Sequence, residues 1–252
     1  MYRSLSLALA AALMAPLSQA MAEVHIDSRC EVNSPYNLKV EPSRLVFSKE
    51  GAVIAFAQGQ LYLDGKLIDL SSADSDRVAA FEQDARALIP EVKAVAHEAI
   101  ELAFVALHRV IDTFATDSNK ASFNAELEAM RNEIASAVTR AESTSEFENG
   151  DFETKISEFA TRMAPRVAGE LASQAIAAAM SGDGTTANAI EAKAKRLERD
   201  IEASVEAPAK ALEARVDALC PRVQALDRLD NQLELRLPNG EPLNLLRVKY
   251  KA

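Results

Sequence analysis

From Asn37 to Leu70 apolar and polar positions alternate with a period of two. That period places successive side chains on opposite faces of a strand. Leu38–Val40, Leu45–Phe47 and Val53–Phe56 are the apolar-rich runs, separated by Pro42 and by Lys49-Glu50-Gly51, which read as turns. Leu61-Tyr62-Leu63 faces Lys66-Leu67-Ile68 across Asp64-Gly65. Asp-Gly tolerates the positive φ that a type I′ turn demands at both central positions, so the spacing predicts a hairpin there.

After Ser71-Ser72 the period lengthens. Asp74, Ser75 and Asp76 are candidate caps and first-turn carboxylates of a helix. Val78, Phe81, Ala85, Leu88, Val92, Val95, Ala99, Leu102 and Ala106 then recur at alternating steps of three and four, a heptad stripe for near-parallel helix packing. Pro90 interrupts the stripe, and the helix either kinks there or restarts with Pro90 in its first turn. A second helix is expected from about Ala121 to Glu142, carrying Phe123, Leu127, Met130, Ile134 and Ala137 on one face. Ser143 to Gly150 reads as a polar break. A third helix is expected from Asp151 to Met180 through Phe152, Ile156, Phe159, Met163, Val167 and Leu171, ending at Ser181-Gly182-Asp183-Gly184. The fourth runs from about Ala187 to Leu229 through Leu197, Ile201, Leu212, Val223 and Leu226, with Pro208 and Pro221 expected to bend or divide it.

At the C-terminus Leu233, Leu235 and Leu237 alternate with Glu234 and Arg236, Pro238-Asn239-Gly240 is a turn, and Leu243–Tyr250 is a second apolar-rich run. The layout predicts an α+β protein, mostly α. A small antiparallel β module is built from both chain ends, and four long helical segments form a bundle or arms between them. Within a single mature domain, 23–252, the expected regions are 30–70 (β), 72–229 (helical) and 232–250 (a β hairpin).

The first residues carry an address. Arg3 supplies a positive start, Leu5–Leu17 is an uncharged apolar run, and Ala20-Met21-Ala22 gives a small-x-small cleavage pattern, so 1–22 reads as a secretory signal peptide cut after Ala22. An uncleaved signal anchor is the alternative, but the run falls short of the roughly 20 apolar residues a span needs. Cys30 stands too far from the run for a lipoprotein. Nothing later in the sequence is apolar enough to cross a membrane. Export points to the periplasm, where disulfides form.

Composition sharpens this. Of 252 residues 48% are hydrophobic and only 5% aromatic, which excludes a disordered acidic chain and favours thin, Ala-lined helix faces. There are 28 Lys and Arg against 38 Asp and Glu, a net charge of −10. Cleavage after Ala22 removes Arg3 and takes the charge to −11. That balance argues against a nucleic-acid partner, which needs clustered cations. Two cysteines, Cys30 and Cys220, survive cleavage. In an oxidising compartment a lone pair normally bonds to itself, and neither lies in a Cys-x-x-Cys pattern, so a structural disulfide is expected over a redox or metal pair.

The search for chemistry is short. His25, His97 and His108 are the only histidines. His97-Glu98 with Glu101 resembles part of a zincin helix, yet Glu101 occupies the place of the second histidine. His97, Glu101 and His108 lie on roughly one helix face and are the one candidate metal-dependent or hydrolytic site; solvated positions flanking a packing stripe are the plainer reading. Asp69, Asp74 and Asp76 lack the rest of a calcium loop, and 181–186 lacks the lysine of a phosphate loop. The basic trio Arg247, Lys249 and Lys251 alternates along one strand face. No residue is assigned a catalytic, cofactor or metal role.

Several short features together resemble the YggN-like periplasmic domain family of unknown function. They are a signal peptide followed closely by Cys30, Gly59–Lys66 as a G-x-L-x-x-x-G-K hairpin closed by Leu70, Arg86 and Pro90 as an R-x-x-x-P step in the first helix, and long helices ending near Cys220. The resemblance implies a Gram-negative periplasm, treats Leu233–Lys251 as an extension some members lack, and transfers no functional residue. The expected function is a non-enzymatic interaction or chaperone-like protein with partners in the cell envelope, oligomeric or not, and without a cofactor. A β body with helical arms is loosely similar to Skp-type periplasmic chaperones, which are basic where this chain is acidic. The alternatives are an enzyme using His97 and His108, and a lipid or small-ligand carrier with an enclosed apolar cavity.

Overall fold

The computed structural model describes residues 30–148, 151–181, 184–237 and 240–250. The signal peptide, His25, Gly150, Gly182-Asp183, Pro238-Asn239 and Lys251 lie outside these described residues.

Five short strands follow one another as a meander: β2 (Asn37–Val40), β3 (Leu45–Lys49), β4 (Ala52–Ala57), β5 (Gln60–Leu63) and β6 (Lys66–Ile68). All neighbours are antiparallel. The last three are joined to their predecessors by the two-residue turns Glu50-Gly51, Gln58-Gly59 and Asp64-Gly65. Every one of these six residues has positive φ, the requirement of the type I′ turn. The Asp64-Gly65 hairpin is where its dipeptide placed it; Gln58-Gly59 forms the same turn with a weaker signal.

Gly59 carries a second constraint. At φ +78° a Cβ would stand 3.1 Å from the Ser75 carbonyl oxygen and 3.2 Å from its Oγ, because the turn rests on the first helix. Ser75 Oγ donates to the Gly59 carbonyl at 2.8 Å. Gly51, at φ +88°, faces open space. Gly51→Ala should therefore cost only the left-handed backbone term, about 1–2 kcal/mol. Gly59→Ala adds a steric clash and should lower the urea midpoint further. Equal midpoints for the two variants would contradict this packing.

The helices are α1 (Ser72–Phe114), α2 (Asp117–Arg140), the single turn α3 (Ser145–Glu148), α4 (Asp151–Ser181) and α5 (Gly184–Asn231). Four are long, as the periodicity predicts. α1 begins three residues earlier than the Asp74 cluster suggests. Ser71 is its N-cap, its hydroxyl accepting from Asp74 N at 3.1 Å, and Asp74 sits in the first turn. Pro90, Pro208 and Pro221 do not divide α1 or α5. Each lacks an N–H, so the carbonyl four residues earlier loses its helical donor, but packing along the rest of the helix outweighs that loss. α5, with 48 residues, is ~72 Å long.

The polar break after α2 has a structural use. Lys39 and Ser143 form a bridge, Val40 N donates to the Glu142 carbonyl at 2.8 Å, and Thr144 N donates to the Leu38 carbonyl at 2.9 Å. The segment thereby covers the open edge of β2, which would otherwise present unpaired backbone groups.

At the C-terminus the expected hairpin gives way to a different pairing. Leu233–Leu237 does turn back on Glu241–Leu243, through one antiparallel bridge between Arg236 and Pro242 and hydrogen bonds from Leu237 N to the Glu241 carbonyl at 2.8 Å and from Leu243 N to the Leu235 carbonyl at 3.3 Å, but forms no continuous strand pair. The second run instead yields β7 (Arg247–Tyr250), which pairs with β1 (Cys30–Asn33) across the two chain ends in a separate two-stranded sheet. The physical reason lies in burial. Leu243, Leu245 and Leu246 are drawn into the core, so the chain is committed to leave beside β1. The β module is thus made from both ends.

Apolar packing forms two cores. The first joins the inner face of the meander (Leu45, Phe47, Ile54, Phe56, Leu61) to Val78, Phe81, Ala85 and Leu88 of α1, to Leu226 of α5 and to the C-terminal leucines. Phe47, Phe56 and Phe81 meet ring to ring at 5.4–5.9 Å. The second joins Phe104 and Ile111 of α1 to Phe123, Leu127, Met130 and Ile134 of α2 and to Phe159 and Met163 of α4. Along α1 the buried face drifts from the heptad series. Val92 is exposed, and Phe104, outside the predicted stripe, is buried. A 3.6-residue turn drifts by ~20° per heptad against a strict repeat of seven, and α1 changes partners along its length. On α2 the last buried position is Val138 rather than Ala137.

Candidate functional site

The histidine constellation does not assemble. His97 faces Thr139 Oγ1 of α2 at 3.0 Å, while Glu101 receives both hydrogen bonds of Arg131 Nη1, at 2.9 and 3.0 Å. His108 lies further along, Nε2 2.9 Å from Glu128 Oε1 and Nδ1 3.2 Å from Asn124 Oδ1. The hydrogen bond from His108 holds the Glu128 carboxyl below the usual range, with Arg131 adding to it. Each group is used to join α1 to α2, and among the described residues no group of three or more His, Cys, Asp or Glu is placed to hold a metal ion. The other side of α1 is pinned to α5 in the same manner, by Glu91 with Arg222 and Glu98 with Arg215. Asp74 is paired with Arg77 at 2.6 Å.

Cys30 and Cys220 form a disulfide, with Cα atoms 5.9 Å apart and a sequence separation of 190. It ties the first strand to the C-terminal part of α5. Both cysteines are buried.

Three carboxylates are buried, each holding the backbone of a distant segment; sequence reading picks out Asp74 as a first-turn carboxylate but misses Glu82 and Asp230. Glu82 of α1 accepts from Gln58 N in the β4–β5 turn at 2.7 Å and is paired with Arg86. Arg86 in turn donates to the Glu41 carbonyl at 2.9 Å. Asp74 lies 3.5 Å from Glu234 N in the C-terminal arm. Asp230, one residue from the end of α5, is fully buried; its Oδ2 accepts from Leu245 N at 2.5 Å and Leu246 N at 3.2 Å. Its other oxygen, Oδ1, is buried without a hydrogen-bond partner. Burial raises the Asp230 carboxyl to about 6; the two amide donors pull it down, and nearby Asp227 adds to the rise. Burial, with Asp230 and Glu241 nearby, likewise raises the Tyr36 hydroxyl. One signal for Asp230 was present in the sequence. It follows Leu226 by four and Val223 by seven, which puts a carboxylate on the apolar stripe of α5.

Two surface grooves lie at the second core. One, ~290 Å³, runs between α2 and α4 beside Asn119, Phe123, Arg166 and Glu170. The other, ~470 Å³, is bordered by Asp112, Asp117, Lys120, Gln174 and Lys193. Both are open to solvent and lined by charged groups. Arg166 stacks on Phe123 with its guanidinium 4.4 Å from the ring centre and bonds Glu126 at 2.5 Å, so it is already committed to packing α4 on α2.

The remaining feature is a helical hairpin with unburied apolar side chains. On α4 Ile156, Ile176 and Met180 are exposed, Met180 to 84%. On α5 every residue from Glu191 to Asp200 is exposed except Leu197. No described helix is long and apolar enough to cross a membrane.

A family model described as "Protein of unknown function (DUF2884)" matches residues 30–246. The match opens on Cys30 and closes on Leu246, whose amide Asp230 holds, so most of the C-terminal arm lies inside it. No curated protein and no solved structure matches the chain.

Proposed function

The chain belongs to this DUF2884 family of unknown function, and on that footing we propose that it is a non-enzymatic interaction protein of the bacterial envelope. A disulfide-closed body holds out the hairpin of α4 and the N-terminal half of α5 for a protein partner. Export through a signal peptide cut after Ala22 and residence in a Gram-negative periplasm belong to the same proposal, as does membership of the YggN-like group. The observation that carries it is the contrast in burial. The exposed large apolar side chains described on the body, such as Leu67, Val32 and Val92, are at most 58% exposed, whereas on the far part of α4 Ile176 reaches 60% and Met180 84%. From Leu171 to Ile190 the sequence holds one charged residue, Asp183. Such a surface suits an apolar protein segment, in the manner of a chaperone-like or assembly factor. His97 and His108 are separately engaged between α1 and α2, which favours this reading over an enzyme built on the pair. The open, charged grooves lend nothing to a lipid carrier.

The test uses the full mature chain. Wild-type protein is expected to delay aggregation of an unfolded outer-membrane protein, or to crosslink to an envelope protein in cells. Ile176→Asp with Met180→Asp should weaken either effect by about tenfold or more, since each buried apolar side chain at such a contact contributes roughly 1.5–3 kcal/mol. A wild-type chain that does neither, or a double variant that does both as well as wild type, would overturn the reading.

A further inference from the structure

Asp230 is fully enclosed, yet only one of its two oxygens is used: Oδ2 accepts both donors, Leu245 N and Leu246 N, and Oδ1 has no partner. The chain it holds leads directly into β7, which pairs with β1 at the disulfide. The only other tie on this stretch from the β1–β2 segment is Ser34 Oγ, which donates to the Leu245 carbonyl at 2.7 Å among the described hydrogen bonds.

We propose that Asp230 is an acid-tightened latch on the C-terminal segment, closed when Oδ1 is protonated and prone to local opening when the carboxylate is ionised. An ionised carboxylate enclosed with one empty oxygen lacks the water it would have outside, and opening the segment restores that water. A protonated one forgoes little by staying enclosed. The groups around it do not supply a compensating positive charge. Tyr36 faces it from the β1–β2 segment, Glu241 stands on the C-terminal arm, and Asp227 on α5 itself. On α1 the nearby arm contact is Asp74, whose charge is already matched by Arg77. Asn231 and Asn244, bonded to each other at 3.2 Å, are neutral.

The sign follows from linkage. The closed state holds its proton up to about pH 6, while a solvated aspartate releases it near 3.8. The ionised form therefore weakens the closed state above pH 6, and the weakening fades as pH falls through 6. Between pH 7.5 and 5.0 the local opening constant should drop by about tenfold. Carboxylates held low by ion pairs, such as Glu41 and Glu128, act with the opposite sign and below their ordinary range, so they leave this window clear.

The test is hydrogen exchange at the Leu245 and Leu246 amides of the mature, disulfide-intact chain at pH 5.0 and 7.5, corrected for the chemical exchange rate. Wild type should open about tenfold more often at pH 7.5, and Asp230→Asn should show a flat profile. Equal pH dependence in the two proteins would overturn the latch. Should Asp230→Asn fail to fold, carbon-13 titration of the wild-type Asp230 carboxyl decides: a midpoint near 6 supports the latch, and an ordinary carboxylate midpoint removes it.

Discussion

Replacing both cysteines, by Cys30→Ser with Cys220→Ser, should lower the stability of the chain strongly. The bond joins positions 190 apart, so in the unfolded state it closes a loop containing most of the sequence. Chain-entropy arguments put that constraint at ~5 kcal/mol, an upper figure because reduced chains keep some residual structure. Few domains hold more than 5–15 kcal/mol in total, so the loss is a large share of the whole. Guanidinium unfolding of the oxidised, reduced and double-Ser proteins measures it. Reduced and double-Ser proteins should share one lowered midpoint. The local consequence is more specific. Cys30 opens β1, and β1 with β7 has only four ladder pairs. A two-stranded ribbon of that length is marginal alone. Without the disulfide it hangs on the Ser34 contact, on Asp230 and on Tyr36, Leu235 and Val248 packing at the first core. The β1–β7 amides should then lose protection well before those of the meander. Equal loss in both sheets would mean that the bond acts on the whole fold alone.

What the sequence made legible follows the range of the interaction involved. Asp64-Gly65 was readable because a type I′ turn is decided by two adjacent residues. The long helices were readable because their stripes repeat every three or four positions. The Cys30–Cys220 bond needed only a count of cysteines and a compartment. The β1–β7 pairing depends on residues more than 200 positions apart, and nothing local distinguishes it from a hairpin of Leu233–Leu237 with Leu243–Tyr250. Ser71 was hidden by Asp74 and Ser75, equally good caps on chemistry alone. Asp230 was legible only in part: its place on the stripe of Leu226 could be read, its donors at Leu245 and Leu246 could not. For the proposed hairpin the sequence showed the apolar stripe of α4 but not which of its members stay exposed. Phe159 and Met163 are covered and Ile156 is not, and the exposed Ile176 lay outside the stripe as read. That division is set by where α1 and α2 reach, not by the stripe itself.

Phe81→Ala and Phe123→Ala should be similar in cost and different in consequence. Each ring is almost completely buried, Phe81 at 2% exposure and Phe123 at 1%. Truncating a core phenylalanine costs about 3–5 kcal/mol, the transfer of the ring plus the cavity it leaves. Phe81 meets Phe47 and Phe56 edge-on, at 73° and 84°, so its removal also ends two edge contacts between α1 and the meander. The sheet should lose its hold on the helix, and unfolding should report the loss through tyrosines 36 and 62 of the β region together with the helical signal. Phe123 lies in the other core. Its ring carries Arg166 of α4 and packs with Phe104, Leu127 and Met163, so truncation loosens α4 from α1 and α2. The β module, closed by the disulfide and the first core, has no contact with that ring and should keep its amide protection. If the hairpin of α4 and α5 is the partner-engaging surface, Phe123→Ala should alter partner capture at temperatures where Phe81→Ala still leaves it intact. Circular dichroism melts paired with hydrogen exchange of β4 and α4 distinguish the two. Loss of β4 protection in Phe123→Ala equal to that in Phe81→Ala would show that α1, running through both cores, couples them into one cooperative unit.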